Sequence, residues 1–128
     1  MAKTLFEKIA DKEIPSHIIW ENPTHMAFLD INPLAEGHTL VIPKRNLGDY
    51  VFELSDADYQ ELMRITKQVS ALLKDKLKVE RVLMIVEGFE VPHVHVHLIP
   101  VHDQPLSKLT KKNVTQEELA QTKTKITG

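Results

Sequence analysis

Three histidines alternate with two valines in the segment HVHVH, and a run of apolar residues follows them. Side chains in a β-strand point to alternate faces, so His93, His95 and His97 share one face and Val94 and Val96 share the other. The valine face must pack on a core, and the histidine face must therefore look at water, a ligand or a partner. Same-face residues lie about 6.8 Å apart along a strand, which suits a group with several oxygens, such as a phosphate.

Imidazole is the side chain best suited to changing its charge near neutral pH, because its ordinary pKa is about 6.5. A neutral ring can attack phosphorus as a nucleophile. A charged ring can neutralise phosphate oxygens or give a proton to a leaving group. Three rings on one face allow these roles to be divided, so the pattern indicates chemistry at a phosphate.

Zinc binding is the main alternative interpretation of the same histidines. Two histidines at alternate strand positions can bind zinc together with a third ligand from elsewhere, here His38 or His17. The nearby sequence shows no pattern of carboxylates that would orient such ligands. We therefore expect no metal and no other cofactor, and a purely structural histidine strand is the least favoured interpretation.

The surrounding elements are predicted from capping signals, turns and periodicity. Thr4 and Glu7 form the pattern of a capping box at the start of a short helix. Further elements are expected as two strands around an Asn22-Pro23 turn, a strand at 37–43, a helix at about 56–77, a buried strand at 81–86 and the histidine strand. The order predicts an antiparallel sheet with helices against one face.

Composition limits the class of protein. The chain has 128 residues, 42% of them hydrophobic, which fits one globular domain. It has no cysteine and no long apolar run, so we expect a cytoplasmic protein without a signal peptide or membrane segment. Residues 107–128 hold five lysines against two glutamates. This tail, with a short helix capped at Thr115, is interpreted as solvated rather than as a nucleic-acid arm.

The histidine segment resembles the His-x-His-x-His signature of the histidine-triad (HIT) nucleotide hydrolases and transferases, in particular the phosphoramidase-like branch. The stretches LFEKIADKEIP and AFLDINPLAEGHTLVIPKR also occur in the family's order. The resemblance implies an α+β fold with a five-stranded antiparallel sheet, one long and one short helix, and a homodimer whose sheets join. The HIT domain would span 1–103, followed by a partly helical C-terminal extension at 104–128.

The same resemblance implies a hydrolase that cleaves a purine nucleotide at its α-phosphate through a nucleotidyl-histidine. His95 would be the nucleophile, His93 would help to orient it, and His97 would contact phosphate. His38 would support the first triad position, and Asp30 would hold the ribose hydroxyls, although it could merely nucleate a turn. The apolar pocket for the base, which could equally be ordinary core, would consist of Leu5, Phe6, Ile9, Phe28, Leu29, Ile31 and Leu40.

The chain departs from the family pattern just before the triad. Phe89 and Glu90 stand where many members have glutamine and serine. Glu90 would repel a phosphate if it pointed inward, so it points outward, binds a cationic part of the substrate or acts as an acid. The expected substrate is a purine nucleoside phosphoramidate or a related adenylylated compound. The alternatives are a nucleotide-binding protein with little catalysis and a dinucleoside polyphosphate hydrolase.

Overall fold

The computed structural model describes residues 2–128, and they form one five-stranded antiparallel sheet with three helices. The α+β fold class expected from the sequence is confirmed. In chain order the elements are α1 (Leu5–Ala10), β1 (Ile18–Glu21), β2 (His25–Leu29), β3 (Thr39–Pro43), α2 (Asp56–Leu77), β4 (Arg81–Ile85), β5 (Val96–Val101) and α3 (Gln116–Thr127). None of the helices within the described range has the length and apolar content needed to cross a bilayer.

The sheet places the histidine strand next to its centre. The strand order is β1-β2-β3-β5-β4, and every neighbouring pair is antiparallel. His97 lies opposite Leu40 of β3 on one side and Ile85 of β4 on the other. Because both neighbours fix the backbone at this position, the orientation of the His97 side chain follows from the register.

One face of the sheet is covered by α2 and α3. Helix α2 buries Leu62, Ile65, Val69 and Leu73, which recur at the spacing of one helical face. These side chains pack with the same-face residues of the strands, including Val96. The valine face of the histidine segment therefore packs on the long helix, as the alternation predicted.

The other face is covered in part by α1, so the prediction that the helices lie against a single face is wrong. Thr4 and Glu7 do form the predicted capping box. Phe6 and Ile9 then pack against Phe28 and the other β2 and β3 side chains on the histidine face. The physical reason is that strands β2 and β3 carry apolar side chains on both faces, and both sets of side chains must be shielded from water.

Three further predictions need correction. Strand β5 begins at Val96, so His93 and His95 lie in the segment that leads into it. The strand predicted as buried at 81–86 is a sheet edge, and Met84 is 55% exposed there. The basic tail is not simply solvated, because Leu119 and Ile126 of α3 are buried against the core. The sequence shows apolar content, but strand order decides which strand is covered.

Candidate active site

His95 occupies the middle of the candidate site and has one ring nitrogen fixed. Its Nδ1 lies 2.7 Å from the backbone carbonyl oxygen of His93. A carbonyl oxygen can only accept, so Nδ1 carries the proton and donates it. The neutral form of the ring therefore has its lone pair on Nε2, and this is the atom able to attack phosphorus.

His93 is completely buried and holds the segment in place from both ring nitrogens. Its Nε2–H donates to the carbonyl oxygen of Pro43 at 2.7 Å. Its Nδ1 must then accept, and the Thr4 hydroxyl donates to it at 2.9 Å. The same hydroxyl accepts the backbone N–H of Glu7, as the cap of α1. The start of α1 is thereby tied to the first triad histidine.

His38 contacts the third triad histidine, so the expectation that it supports the first is wrong. The backbone N–H of Leu34 donates to His38 Nδ1 at 3.0 Å, which places the His38 proton on Nε2. This Nε2–H donates to His97 Nδ1 at 3.0 Å. The remaining nitrogen of His97, Nε2, then carries its proton and is a donor for a substrate oxygen. The cause is the register, which sets β5 beside β3 with Thr39 opposite Leu98.

Burial keeps these rings neutral at pH 7. It lowers the pKa of His38 to about 4, against the opposing effect of the Asp30 carboxylate. Burial likewise lowers the pKa of His93 and of His97. The three rings hence act through their lone pairs and N–H groups and contribute no formal positive charge. The sequence predicted a histidine face open to solvent or a ligand, but α1 removes His93 and His95 from bulk water.

An apolar cavity of about 320 Å³ adjoins the triad. All seven residues predicted to surround a base line it, and so do Asp30, His95 and His97: the seven are Leu5, Phe6, Ile9, Phe28, Leu29, Ile31 and Leu40. Phe6 also packs edge-on against the His95 ring, with 4.8 Å between ring centroids. The cavity has the walls that a planar apolar ligand needs, and His95 forms part of its lining.

Asp30 performs the turn role that the sequence left open and keeps one oxygen for another use. Its Oδ1 accepts the backbone N–H of Asn32 at 2.8 Å. Its Oδ2 lies 3.7 Å from His38 Nε2, and the side chain lines the apolar cavity. The carboxylate is thus anchored at one oxygen, while the other is available to a ligand hydroxyl.

A second cavity of about 220 Å³ lies on the other side of the triad and shares His95 and His97 with the first. Glu87, Phe89 and Glu90 contribute to its wall. Glu90 lines both cavities together with His95 and His97, and its Oε1 lies 3.4 Å from Lys111 Nζ. Its side chain is mostly exposed, so Glu90 borders the site and pairs there with a cation of the chain itself.

One group of described side chains could hold a metal ion, namely Asp30, His38 and His97, whose ligand atoms lie within 4.8 Å of one another. A metal on His38 Nε2 would displace the proton that this nitrogen carries. The proton could not move to Nδ1, because the Leu34 N–H already points at that atom. Metal-bound histidines normally donate from their other nitrogen, so the donor set fits a metal poorly. His17, the other ligand considered, bonds Gln116 of α3 instead.

Sequence reasoning missed two residues of this site. Thr4 was recognised as a helix cap but not as the partner of His93, which lies 89 positions away. Lys111 was counted among the lysines of the tail, although it lines both cavities. Neither contact has a signal in local sequence, because both depend on how distant segments pack.

Comparisons with known proteins agree with this geometry. The model of the HIT domain family matches residues 11–104. The chain is 36% identical to an uncharacterized HIT-like protein of Borreliella burgdorferi, over 78% of this chain and 76% of that one. It is 39% identical to the adenosine 5'-monophosphoramidase HNT1 of Saccharomyces cerevisiae, over 80% of this chain and 65% of that one.

Solved structures extend the likeness to the whole fold. A Hit-like protein from Bartonella henselae superposes with a TM-score of 0.85 at 27% identity, covering 97% of this chain and 93% of that chain. A hypothetical histidine triad nucleotide-binding protein from Sulfolobus tokodaii gives a TM-score of 0.82 at 28% identity, covering 94% of this chain and 87% of that chain. The resemblance noted in the sequence is confirmed, and the chain belongs to the HIT domain family.

Proposed function

We propose that the chain hydrolyses a purine nucleoside phosphoramidate, or a related adenylylated compound, through a nucleotidyl intermediate on His95. The observation that carries the proposal is the hydrogen bond from His95 Nδ1 to the His93 carbonyl oxygen, which leaves the Nε2 lone pair free. An imidazole held in one orientation with its lone pair on Nε2 needs no separate base to activate it.

The reaction would take two steps. In the first, His95 Nε2 forms a bond to the α-phosphorus, the leaving nitrogen takes a proton from solvent, and the bond between phosphorus and that nitrogen breaks, so that the amine departs. In the second, water forms a bond to the same phosphorus, the bond to His95 Nε2 breaks, and one proton of the water returns to solvent, so that a nucleoside monophosphate is released. His97 Nε2–H would donate to a phosphoryl oxygen in both steps, where negative charge develops.

The residues that line the site support a substrate that contains a nucleoside. The apolar cavity would take the base, and the free oxygen of Asp30 would accept a ribose hydroxyl. The yeast relative at 39% identity is an adenosine 5'-monophosphoramidase, which supports the same class of substrate.

Charge on the leaving-group side supports a phosphoramidate over a dinucleoside polyphosphate. The second cavity carries the carboxylates of Glu87 and Glu90 and the exposed ring of Phe89. Carboxylates repel the several negative charges of a polyphosphate leaving group, whereas they tolerate or attract an amine. The phosphoramidase activity is therefore the favoured one of the two hydrolytic alternatives.

The test uses His95→Ala beside the matched control His102→Ala, which changes an exposed histidine of the same segment. We expect His95→Ala to lose at least about a thousandfold in kcat on adenosine 5'-phosphoramidate, while the control retains its rate. Mass spectrometry of acid-quenched wild-type protein should find added nucleotide on the peptide that contains His95. A His95→Ala protein that turns over at the wild-type rate would refute the proposal, and AMP binding without turnover would favour a binding protein.

The homodimer implied by the family resemblance is also a proposal. The edge strand β4 leaves Met84 55% exposed, and no strand among residues 2–128 pairs with its outer side. Such an edge can pair with a second copy of the sheet. Light scattering should give twice the monomer mass, and a monomer at micromolar concentration would contradict it.

A further inference from the structure

Lys111 lies outside the part of the chain that matches the HIT domain, which ends at residue 104. It nevertheless lines both the apolar cavity and the second cavity, where the leaving group would lie, together with His95 and His97. Among the described residues that line either cavity, no other lysine or arginine is present. A charge supplied by the C-terminal extension therefore stands at the junction where a phosphate would lie.

The backbone around Lys111 is held against the domain. The next residue, Lys112, donates its backbone N–H to the Pro33 carbonyl oxygen at 2.9 Å and its Nζ to that of Leu34 at 3.1 Å. Further along, Lys125 of α3 forms an ion pair with Glu36 at 3.1 Å. These contacts fix the extension to the loop between β2 and β3, so the position of Lys111 over the site is built in.

No other lysine or arginine among the described residues lines either cavity. His38, His93 and His97 are neutral at pH 7, because burial lowers the pKa of each of these rings. Three carboxylates, those of Asp30, Glu87 and Glu90, line the same cavities. A nucleotide phosphate carries at least one negative charge, and neutral N–H groups alone compensate it poorly in such surroundings.

The present partner of Lys111 can be exchanged. The Glu90–Lys111 pair is 3.4 Å long, and both side chains are mostly exposed. Exposed ion pairs of this kind contribute little to stability, since water competes for both charges. Glu90 thus keeps the Lys111 ammonium near the triad through a weak ion pair. A phosphate oxygen is a stronger acceptor than the Glu90 carboxylate and can replace it.

We propose that Lys111 binds the phosphate of the nucleotide, exchanging the Glu90 carboxylate for a phosphate oxygen, so that the C-terminal extension completes the active site. This inference rests on the proposed function, because it takes a nucleotide as the ligand. It assigns to the extension a role in affinity and to Glu90 the role of a competing counter-ion.

Calorimetric titration with AMP and with adenosine tests the inference, because the two ligands differ only in the phosphate. We expect Lys111→Met to weaken AMP binding roughly tenfold or more and to leave adenosine binding unchanged. Lys111→Arg should keep most of the AMP affinity. The matched control is Lys108→Met, an exposed lysine of the same extension that lines neither cavity.

A second variant reports on the exchange itself. Glu90→Gln should tighten AMP binding severalfold in the wild-type background and have no such effect beside Lys111→Met, because the competition needs both charges. If Lys111→Met binds AMP like the wild type, the inference is wrong while the proposed function stands. If the wild type neither binds AMP nor cleaves a phosphoramidate, both are wrong.

Discussion

The Nε2–H of His38 donates to Nδ1 of His97 across 3.0 Å, and this bond selects the nitrogen that His97 presents to a ligand. The order of donation is set one step earlier, where the backbone N–H of Leu34 meets His38 Nδ1. A backbone N–H can only donate, so His38 Nδ1 must accept and His38 Nε2 must donate to His97. His97 is thereby a neutral donor, and it needs no proton from solvent to contact a phosphate.

Replacing His38 should remove the hydrogen bond that fixes the His97 tautomer. In His38→Asn the His97 ring is free to take either tautomer, and we expect kcat/KM to fall about ten- to a hundredfold. Nitrogen NMR of His97 should show its proton shared between Nδ1 and Nε2, where the wild type shows it on Nε2. The control is His25→Asn, a buried histidine of β2 that lines neither cavity. An unchanged His97 tautomer in His38→Asn would contradict the prediction.

Thr4→Val should cost both stability and activity. The variant removes the cap of α1 and the donor to His93 Nδ1, so the free energy of unfolding should fall by about 2 to 3 kcal/mol. The rate should fall severalfold, since α1 also carries Phe6 against His95. Thr115→Val removes the equivalent capping box of α3 and should lose about 1 kcal/mol with no change in rate. Urea denaturation and steady-state kinetics measure the two effects, and equal rates in both variants would count against the Thr4–His93 link.

Stability should decline as the pH falls from 7 to 5. The buried rings of His38, His93 and His97 have a lowered pKa in the folded protein, whereas in the unfolded chain the pKa of a histidine is about 6.5. The unfolded chain therefore binds more protons in this window, and acid favours it. The stabilising effect is complete above pH 6.5 and is lost as the pH falls toward the folded pKa values.

Urea midpoints at pH 7, 6 and 5 measure this decline, in a range where most carboxylates stay ionised. His38→Asn should show a shallower decline than the wild type, because one of the responsible groups is gone. A urea midpoint that stays constant or rises between pH 7 and pH 5 would contradict the prediction that these histidines are buried in their neutral form.

Removal of metal should leave turnover intact. The proton on His38 Nε2 and the amide at its Nδ1 oppose coordination by Asp30, His38 and His97. Protein dialysed against a chelator should hydrolyse the phosphoramidate at the rate of untreated protein, and elemental analysis of untagged protein should find far less than one zinc per chain. Activity that disappears with the chelator and returns with zinc would reverse this conclusion.

The sequence by itself determined the alternation of the histidines, the periodicity of α2 and the capping signals of α1 and α3. These are local patterns, and their physical basis is the fixed geometry of strands and helices. Of the site residues expected from the resemblance, the seven apolar ones line one cavity together with Asp30, His95 and His97, whereas His38 and His93 do not line it. Packing of α2 on the valine face follows directly from the period of two.

Only the tertiary structure decided which groups the histidines meet. His38 lies 59 positions from its partner His97, and Thr4 lies 89 positions from His93. The tail is assigned to the site only because Lys112 and α3 fasten it to the loop after β2. Such pairings depend on strand order and on which face each helix covers, and neither is written in the spacing of residues along the chain.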